Sequence, residues 1–228
     1  MKKILLSILF FTISYANVYG HVEHYVDIKS LEYELYRNDK LIGFHNFDFE
    51  KNNEELTVKS VVEFKITKLG VDLYNYSATS TEVYKNGIFT NYSSKTNQNK
   101  KEKYVNININ EEKNELVIDG SSYKGKTSVE FLVGTWWNHQ LIKAKAQISG
   151  ISGRIIEQKV IFKGKKNIKI NEQDFIALHF NFSSSNKDLP PEKKLNTDIW
   201  YDEETKVWLK ASFNKMGQWE YRLKKINY

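Results

Sequence analysis

The 228-residue chain contains no cysteine. That excludes disulfides and thiolate chemistry, and it excludes the acylated cysteine that tethers a bacterial lipoprotein. Proline is nearly as scarce: the only two are adjacent, Pro190-Pro191, so almost any other segment can enter a hydrogen-bonded ladder. After the first residues no apolar run approaches the ~20 residues of a membrane-spanning helix. The chain also lacks a Gly-rich phosphate loop, a nucleophile elbow and a zinc-protease helix. Its carboxylates Glu63, Glu82, Glu130, Asp198 and Asp202 are scattered over different segments, where charged residues are expected on solvated faces. Nothing identifies a pair set ~5–9.5 Å apart across a cleft. The sequence therefore offers no catalytic residue and no cofactor signature, and an enzymatic role is the weaker expectation.

Aromatic residues make up 14% of the chain, with 14 Tyr and 13 Phe beside abundant Ile, Val and Thr. That composition favours strands. The start reads differently: basic Met1-Lys2-Lys3, an apolar run from Ile4 to Tyr15, then Val18-Tyr19-Gly20 before His21. This is the layout of a secretory signal peptide over residues 1–20, cleaved near Gly20/His21, with an uncleaved anchor as the competing reading. It implies export, with the periplasm as the expected compartment and a single domain over residues 21–228. Of the formal charge of +6, Lys2 and Lys3 belong to the leader, leaving about +4 on the mature chain. The lysines are dispersed rather than massed with aromatics on one face, which argues against a nucleic-acid groove.

From Leu31 onward, short alternating segments are separated by Asn, Asp and Gly. Val58–Thr90 is the longest example and closes on Lys85-Asn86-Gly87, a strong hairpin signal. Tyr104–Asn110 (YVNININ) alternates most cleanly. Lys95–Lys103 reads as a polar loop, and Lys163-Gly164 and Asn171-Glu172 read as turns. Gly43, inside an early strand, marks a bulge, a close backbone approach or a twist point. Thr127–Ala146 (TSVEFLVGTWWNHQLIKAKA) breaks the rhythm with a tryptophan pair and one or two helical turns. The pattern predicts an all-β antiparallel roll or open barrel of many short strands, with one short helical or loop insertion capping it.

Several stretches carry a resemblance. Ile42-Gly43, FKITKLGVDLYNYSATSTEVYKNG (64–87), Trp136-Trp137-Asn138, Asp198-Ile199-Trp200-Tyr201-Asp202 and Val207-Trp208-Leu209 together resemble the bacterial exported family catalogued as domain of unknown function 6134, and more distantly the group 3108. The resemblance runs from about Leu31 to Leu223. It implies an exported antiparallel β-roll and supplies no activity and no site residues.

Candidate chemistry then rests on single residues. An N-terminal His21 with His24, His45 or His139 could chelate copper, though a frayed terminus is the simpler reading. His179 reads as an ordinary strand histidine. The tryptophans and tyrosines either fill the core or line the mouth of a curved sheet. In the second case Trp136, Trp137, Tyr74 and Trp200 are the candidate ligand-binding residues, with the Trp pair as a lid over an apolar guest. The expectation is a monomeric carrier of an apolar or amphipathic envelope molecule. The alternative is an envelope assembly factor that binds a protein through a strand edge.

Overall fold

The computed structural model describes Val22, Tyr25 and residues 27–228. The expected leader, its cleavage point, His21 and His24 lie outside the described residues. Turn chemistry sets the architecture. Asn38-Asp39, Leu69-Gly70, Asn86-Gly87, Asn99-Lys100 and Asn171-Glu172 each form a two-residue connection with both residues at positive φ. Such turns match the right-handed twist of the strands they join, and Asn and Gly tolerate the left-handed region best.

These turns join β1 (Ser30–Arg37), β2 (Lys40–Asn52), β3 (Glu55–Lys68), β4 (Val71–Lys85), β5 (Ile88–Gln98), β6 (Lys101–Asn110), β7 (Glu115–Gly120) and β8 (Lys124–Ser128). The chain continues through β9 (Leu132–Val133), β10 (Ala146–Ile148), β11 (Ile155–Ile170), β12 (Gln173–Ser184), β13 (Asn196–Asp202), β14 (Trp208–Asn214) and β15 (Gln218–Asn227). All fifteen belong to one sheet, ordered β8-β7-β6-β5-β4-β3-β2-β1-β15-β14-β13-β12-β11-β10-β9. Every pairing is antiparallel except β9 with β10. The first and last long strands pair, so the unpaired edges are β8 and β9, neighbours in the chain.

The sheet curls until its arms meet without closing the ladder. Tyr92 and Ser94 of β5 donate to the Gly150 carbonyl at 3.1 and 2.6 Å, and Ser122 N–H donates to Ser152 O at 2.9 Å. The β10–β11 turn thus lies against β5 and β7. A Cβ on Gly150 would stand 2.5 Å from the Tyr92 hydroxyl, so a larger residue there would push the Tyr92 side chain aside. Gly43 of β2 is a close approach too: a Cβ there would meet Glu63 O at 2.0 Å.

Because antiparallel neighbours alternate in direction, the turns sort to two ends. One end carries the turns at 53–54, 86–87, 111–114, 171–172 and 203–207. The other carries those at 38–39, 69–70, 99–100, 121–123, 149–154, 185–195 and 215–217. The core fills the first end. There Trp137, wholly buried, meets Tyr25, Phe49 and Tyr84 edge-on with centroids 5.0, 5.4 and 5.9 Å away. Each such pair adds ~0.5–1.5 kcal/mol beyond area burial.

Some expectations give way here. Lys163-Gly164 is no turn: β11 runs through it with a bulge between Phe162 and Gly164. Lys95–Lys103 is no loop, since β5 and β6 pair out to Gln98↔Lys101. Glu82, expected on a solvated face, is 2% exposed. It shares its parity with Tyr84 and Ser80, which fixes it on the inner face.

Candidate functional site

Cross-strand register explains why the barrel is solid at one end and hollow towards the other. Across β2, β3, β4 and β5 the inner face is built from successive rows. Phe49–Val58–Glu82–Tyr92 comes first, then Phe47–Ser60–Ser80–Ser94, then His45–Val62–Ala78–Thr96, then Gly43–Phe64–Tyr76–Gln98. The first row is bulky and closes the core. The second and third place Ser, Ala and Thr where a packed interior needs large apolar groups. A cavity of about 220 Å³ remains above them. Trp136, Trp208, Tyr76 and Tyr221 wall it with aromatic surface, and Ser149–Ile151 of the β10–β11 turn cover one side.

The cavity carries no Asp, Glu, Lys or Arg on its wall. Its titratable histidine, His45, has its pKa pushed down to about 3 by burial, so it is neutral throughout the physiological range. The hydroxyls of Tyr76 and Tyr221 are pushed up, also by burial first of all, and stay protonated. His45 Nε2 pairs with Ser60 Oγ at 3.1 Å. Its Nδ1 has no partner, and neither has Trp208 Nε1, although both atoms are shielded from solvent. Unpaired buried polar atoms each cost about 1–3 kcal/mol, and the residues that carry these two, His45 and Trp208, both line this cavity.

The insertion between β9 and β10 crosses the interior and is pinned to β4 by Glu82. The carboxylate accepts from the Tyr84 hydroxyl at 2.5 Å, Thr135 Oγ1 at 3.0 Å and Trp137 Nε1 at 3.1 Å. Burial raises its pKa to about 7 against the opposing pull of these donors. Asn138 Nδ2 donates to Tyr84 Oη, and Tyr201 donates to the Trp136 carbonyl at 2.9 Å. Residues 135–138 are therefore fixed on both sides. The Trp136 ring is set 5.4 Å from Trp208 and 5.3 Å from Tyr221.

The four aromatic candidates separate. Trp136 lines the cavity. Trp137 points into the closed core and is no lid: it is the Glu82-bonded centre of the first end. Tyr74 stacks on Phe64 at 5.9 Å, outside the cavity wall. It begins a half-exposed aromatic chain that runs through Phe64, Trp219 and Phe213 to Trp136. Trp200 lies on the opposite face of the sheet. Its cross-strand neighbours are His179 and Lys210, whereas the adjacent Ile199 aligns with Ala211 and cavity-facing Tyr221. There His179 stacks on Trp200 at 4.3 Å and bonds Asp198 at 2.9 Å.

His45, Trp208 and Tyr221 are the site residues that sequence reading did not assign to a cavity. The available signal was the parity that groups His45 with Phe47 and Phe49. His139 lies elsewhere, with Nδ1 3.2 Å from Tyr25 Oη and Nε2 beside Gln140. Among the described residues no group of three or more His, Asp or Glu could hold a metal ion, and no helix is long and apolar enough to cross a membrane.

No curated protein sequence matches the chain. Among solved structures, a β-barrel-like protein of the domain of unknown function DUF1849 from Brucella abortus is similar, with a TM-score of 0.58 at 11% identity, covering 88% of this chain and 98% of its own. A Bacteroides fragilis protein with a YmcC-like fold aligns with a TM-score of 0.37 at 11% identity, covering 87% and 95%. The first likeness concerns the fold alone: a curled, barrel-like antiparallel sheet. The family described as Domain of unknown function (DUF6134) matches residues 33–224, nearly the whole of the described sheet, and the chain belongs to that family.

Proposed function

We propose that the protein is an exported carrier that holds a small amphipathic molecule of the cell envelope in the cavity between β2–β5 and Trp136. The observation that supports this most is the hollow itself, lined by Ser60, Ser80 and Ser94 where a packed interior would hold large apolar groups. With no ionised group on its wall, the cavity suits an uncharged polar group such as a hydroxyl, ester or amide. The hydroxyls of Ser60 and Ser80 suit the polar group, and the rings of Trp136, Tyr76 and Tyr221 suit an apolar tail or ring. Its 220 Å³ is below the ~300–1,000 Å³ of drug-sized pockets, so part of the guest extends past Tyr76 and Phe64 towards solvent. The alternative of strand addition is weakened by the edge itself. β8 is short and presents Lys124 and Lys126, a pattern that discourages pairing with another chain.

Native mass spectrometry of the full chain, purified without detergent from a bacterial envelope, tests this. The expected result is a reproducible added mass that organic extraction removes. Ser80→Phe, which fills the hollow, should lose that mass while circular dichroism and the melting temperature report a folded protein. A bare wild-type mass would overturn the proposal.

A further inference from the structure

We infer that the end of the barrel bearing the Leu69-Gly70 turn docks on an anionic bilayer surface. This goes beyond the carrier reading, because it stands on the rim and not on the cavity. Four observations converge. The first is Leu69 itself. Among the two-residue turns with paired positive φ, Asn occupies the first position at 38, 86, 99 and 171, while Leu69 stands there at φ 52. Leucine is disfavoured in that region and gains nothing locally, whereas Asn tolerates it. Leu69 is also 95% exposed, so it stabilises neither the turn nor the core.

The second is projection. Pairing of β3 with β2 stops at Gly43↔Phe64, and pairing of β4 with β5 stops at Tyr76↔Gln98. The hairpin 65–75 therefore extends past both neighbours and carries exposed Val71 and Leu73 beside Leu69. At the same end Leu41 is exposed and Met216, at the tip of the β14–β15 turn, is 88% exposed. Isolated apolar side chains on a surface are ordinary; a group of them on turn tips at one end is not.

The third is charge. The turns of this end and their flanking residues carry Arg37, Lys40, Lys68, Lys100, Lys101 and Lys124, and the 185–195 loop adds Lys187, Lys193 and Lys194, against the acids Asp39, Asp188 and Glu192. The opposite turns and their flanking residues carry Glu54, Glu55, Glu111, Glu112, Glu203 and Glu204 against Lys85, Lys113 and Lys206. Among the described residues Lys40, Lys68, Lys100 and Lys101 make no ion pair. The barrel is electrically polarised, with apolar tips set among the positive charges. Lysines around inserted apolar groups are the signature of a surface that binds negatively charged headgroups.

The fourth is position. The hollow rows lie towards this end and the closed core occupies the other, so docking would set the cavity against lipid. A second copy, offering its acidic end, matches the charge, but that end presents no apolar turn tip to meet Leu69, Val71 and Met216.

The test is co-sedimentation of the full chain with vesicles of phosphatidylcholine alone and of phosphatidylcholine mixed with phosphatidylglycerol. The expected result is binding to the mixed vesicles, weak binding to the neutral ones, and release by salt. Leu69→Asn should weaken partitioning about tenfold, from the lost apolar insertion, while its melting temperature stays level or rises. Lys68→Glu with Lys100→Glu should weaken it at least about twentyfold, at roughly fivefold per lysine removed from an anionic surface. Ser80→Phe should bind vesicles like the wild type, so failure of docking and failure of the carrier reading remain separable. Equal binding to both vesicle types, or undiminished binding by the Leu69 and lysine variants, would overturn the inference. So would concentration-dependent self-association, without vesicle binding, that Leu69→Asn abolishes, since that would assign the rim to a second copy.

Discussion

Replacing Glu82 with Gln gives the sharpest physical test of the fold, because one buried carboxylate holds the interior segment in place. Its pKa rises from 4.5 in the unfolded chain to about 7 in the folded one. A carboxyl with a raised folded pKa binds its proton more tightly in the folded state. Its contribution is therefore fully favourable below about pH 4.5, declines as pH rises through about 7, and is flat beyond. The shift is worth about 3 kcal/mol at 1.36 kcal/mol per unit. Glu82→Gln removes the titration yet can keep most of the bonds. The substituted amide's carbonyl can accept from Thr135 and Trp137, and its NH₂ group can donate to the Tyr84 oxygen. Urea unfolding followed by tryptophan fluorescence at about pH 5 and about pH 8 reads the effect. The wild type should lose ~2.5 kcal/mol relative to Glu82→Gln between the two conditions, or ~5–10 °C in relative melting temperature for a chain of this size. If the stability difference between the two proteins is the same at both pH values, Glu82 does not titrate in this window and its burial has been misjudged.

The other expectations are simpler. Gly43→Ala must push a Cβ into Glu63 O and the Phe64 backbone, so it should cost about 1–3 kcal/mol, read by urea denaturation. Tyr33→Phe deletes the buried hydrogen bond from the Tyr33 hydroxyl to Trp208 O at 2.6 Å. It should cost about 0.5–1.5 kcal/mol for the lost bond, read by urea denaturation. Leu69→Asn should raise stability by up to about 1 kcal/mol in the same assay, since it relieves an unfavourable left-handed leucine.

How far the chain could be read depended on whether local chemistry or the curl of the sheet decides a feature. Hairpins at Asn86-Gly87 and Asn38-Asp39 were readable because a two-residue loop with positive φ leaves few residue choices. β8 was not, because KGKTS carries no apolar alternation. The β5 and β6 ends were missed for a related reason: TNQ and KEK are polar on both faces, and of their residues only Thr96 is buried. Trp136 and Trp137 were recognised as a pair, but adjacent residues in an irregular segment diverge according to what pins the backbone. Here Glu82 draws Trp137 inward and leaves Trp136 at the cavity. Trp200 was assigned by its aromatic character, which carries no information about face. Ile199, Trp200 and Tyr201 alternate faces in the ordinary way, and Trp200 is covered on the outer face by His179 and Lys210.

The barrel departs from what folding alone would favour at two places. One is the interior, where the Ser60–Ser80–Ser94 row and the neighbouring Ala78 and Thr96 leave a hollow and strand polar atoms that a packed core would not contain. The other is the Leu69 tip, where an exposed, conformationally disfavoured leucine replaces the Asn used at the equivalent position of every other turn of this kind. Each departure has a substitution that would improve stability: larger apolar residues in the rows, and Asn at the tip. Sequences that specify a fold are locally consistent nearly everywhere, and their violations concentrate where something other than stability constrains the residue. That both violations fall towards the same end of the barrel, around which the lysines also gather, is what ties the cavity to the rim. A hollow at the acidic end, or an apolar tip far from the cavity, would have left two unrelated oddities.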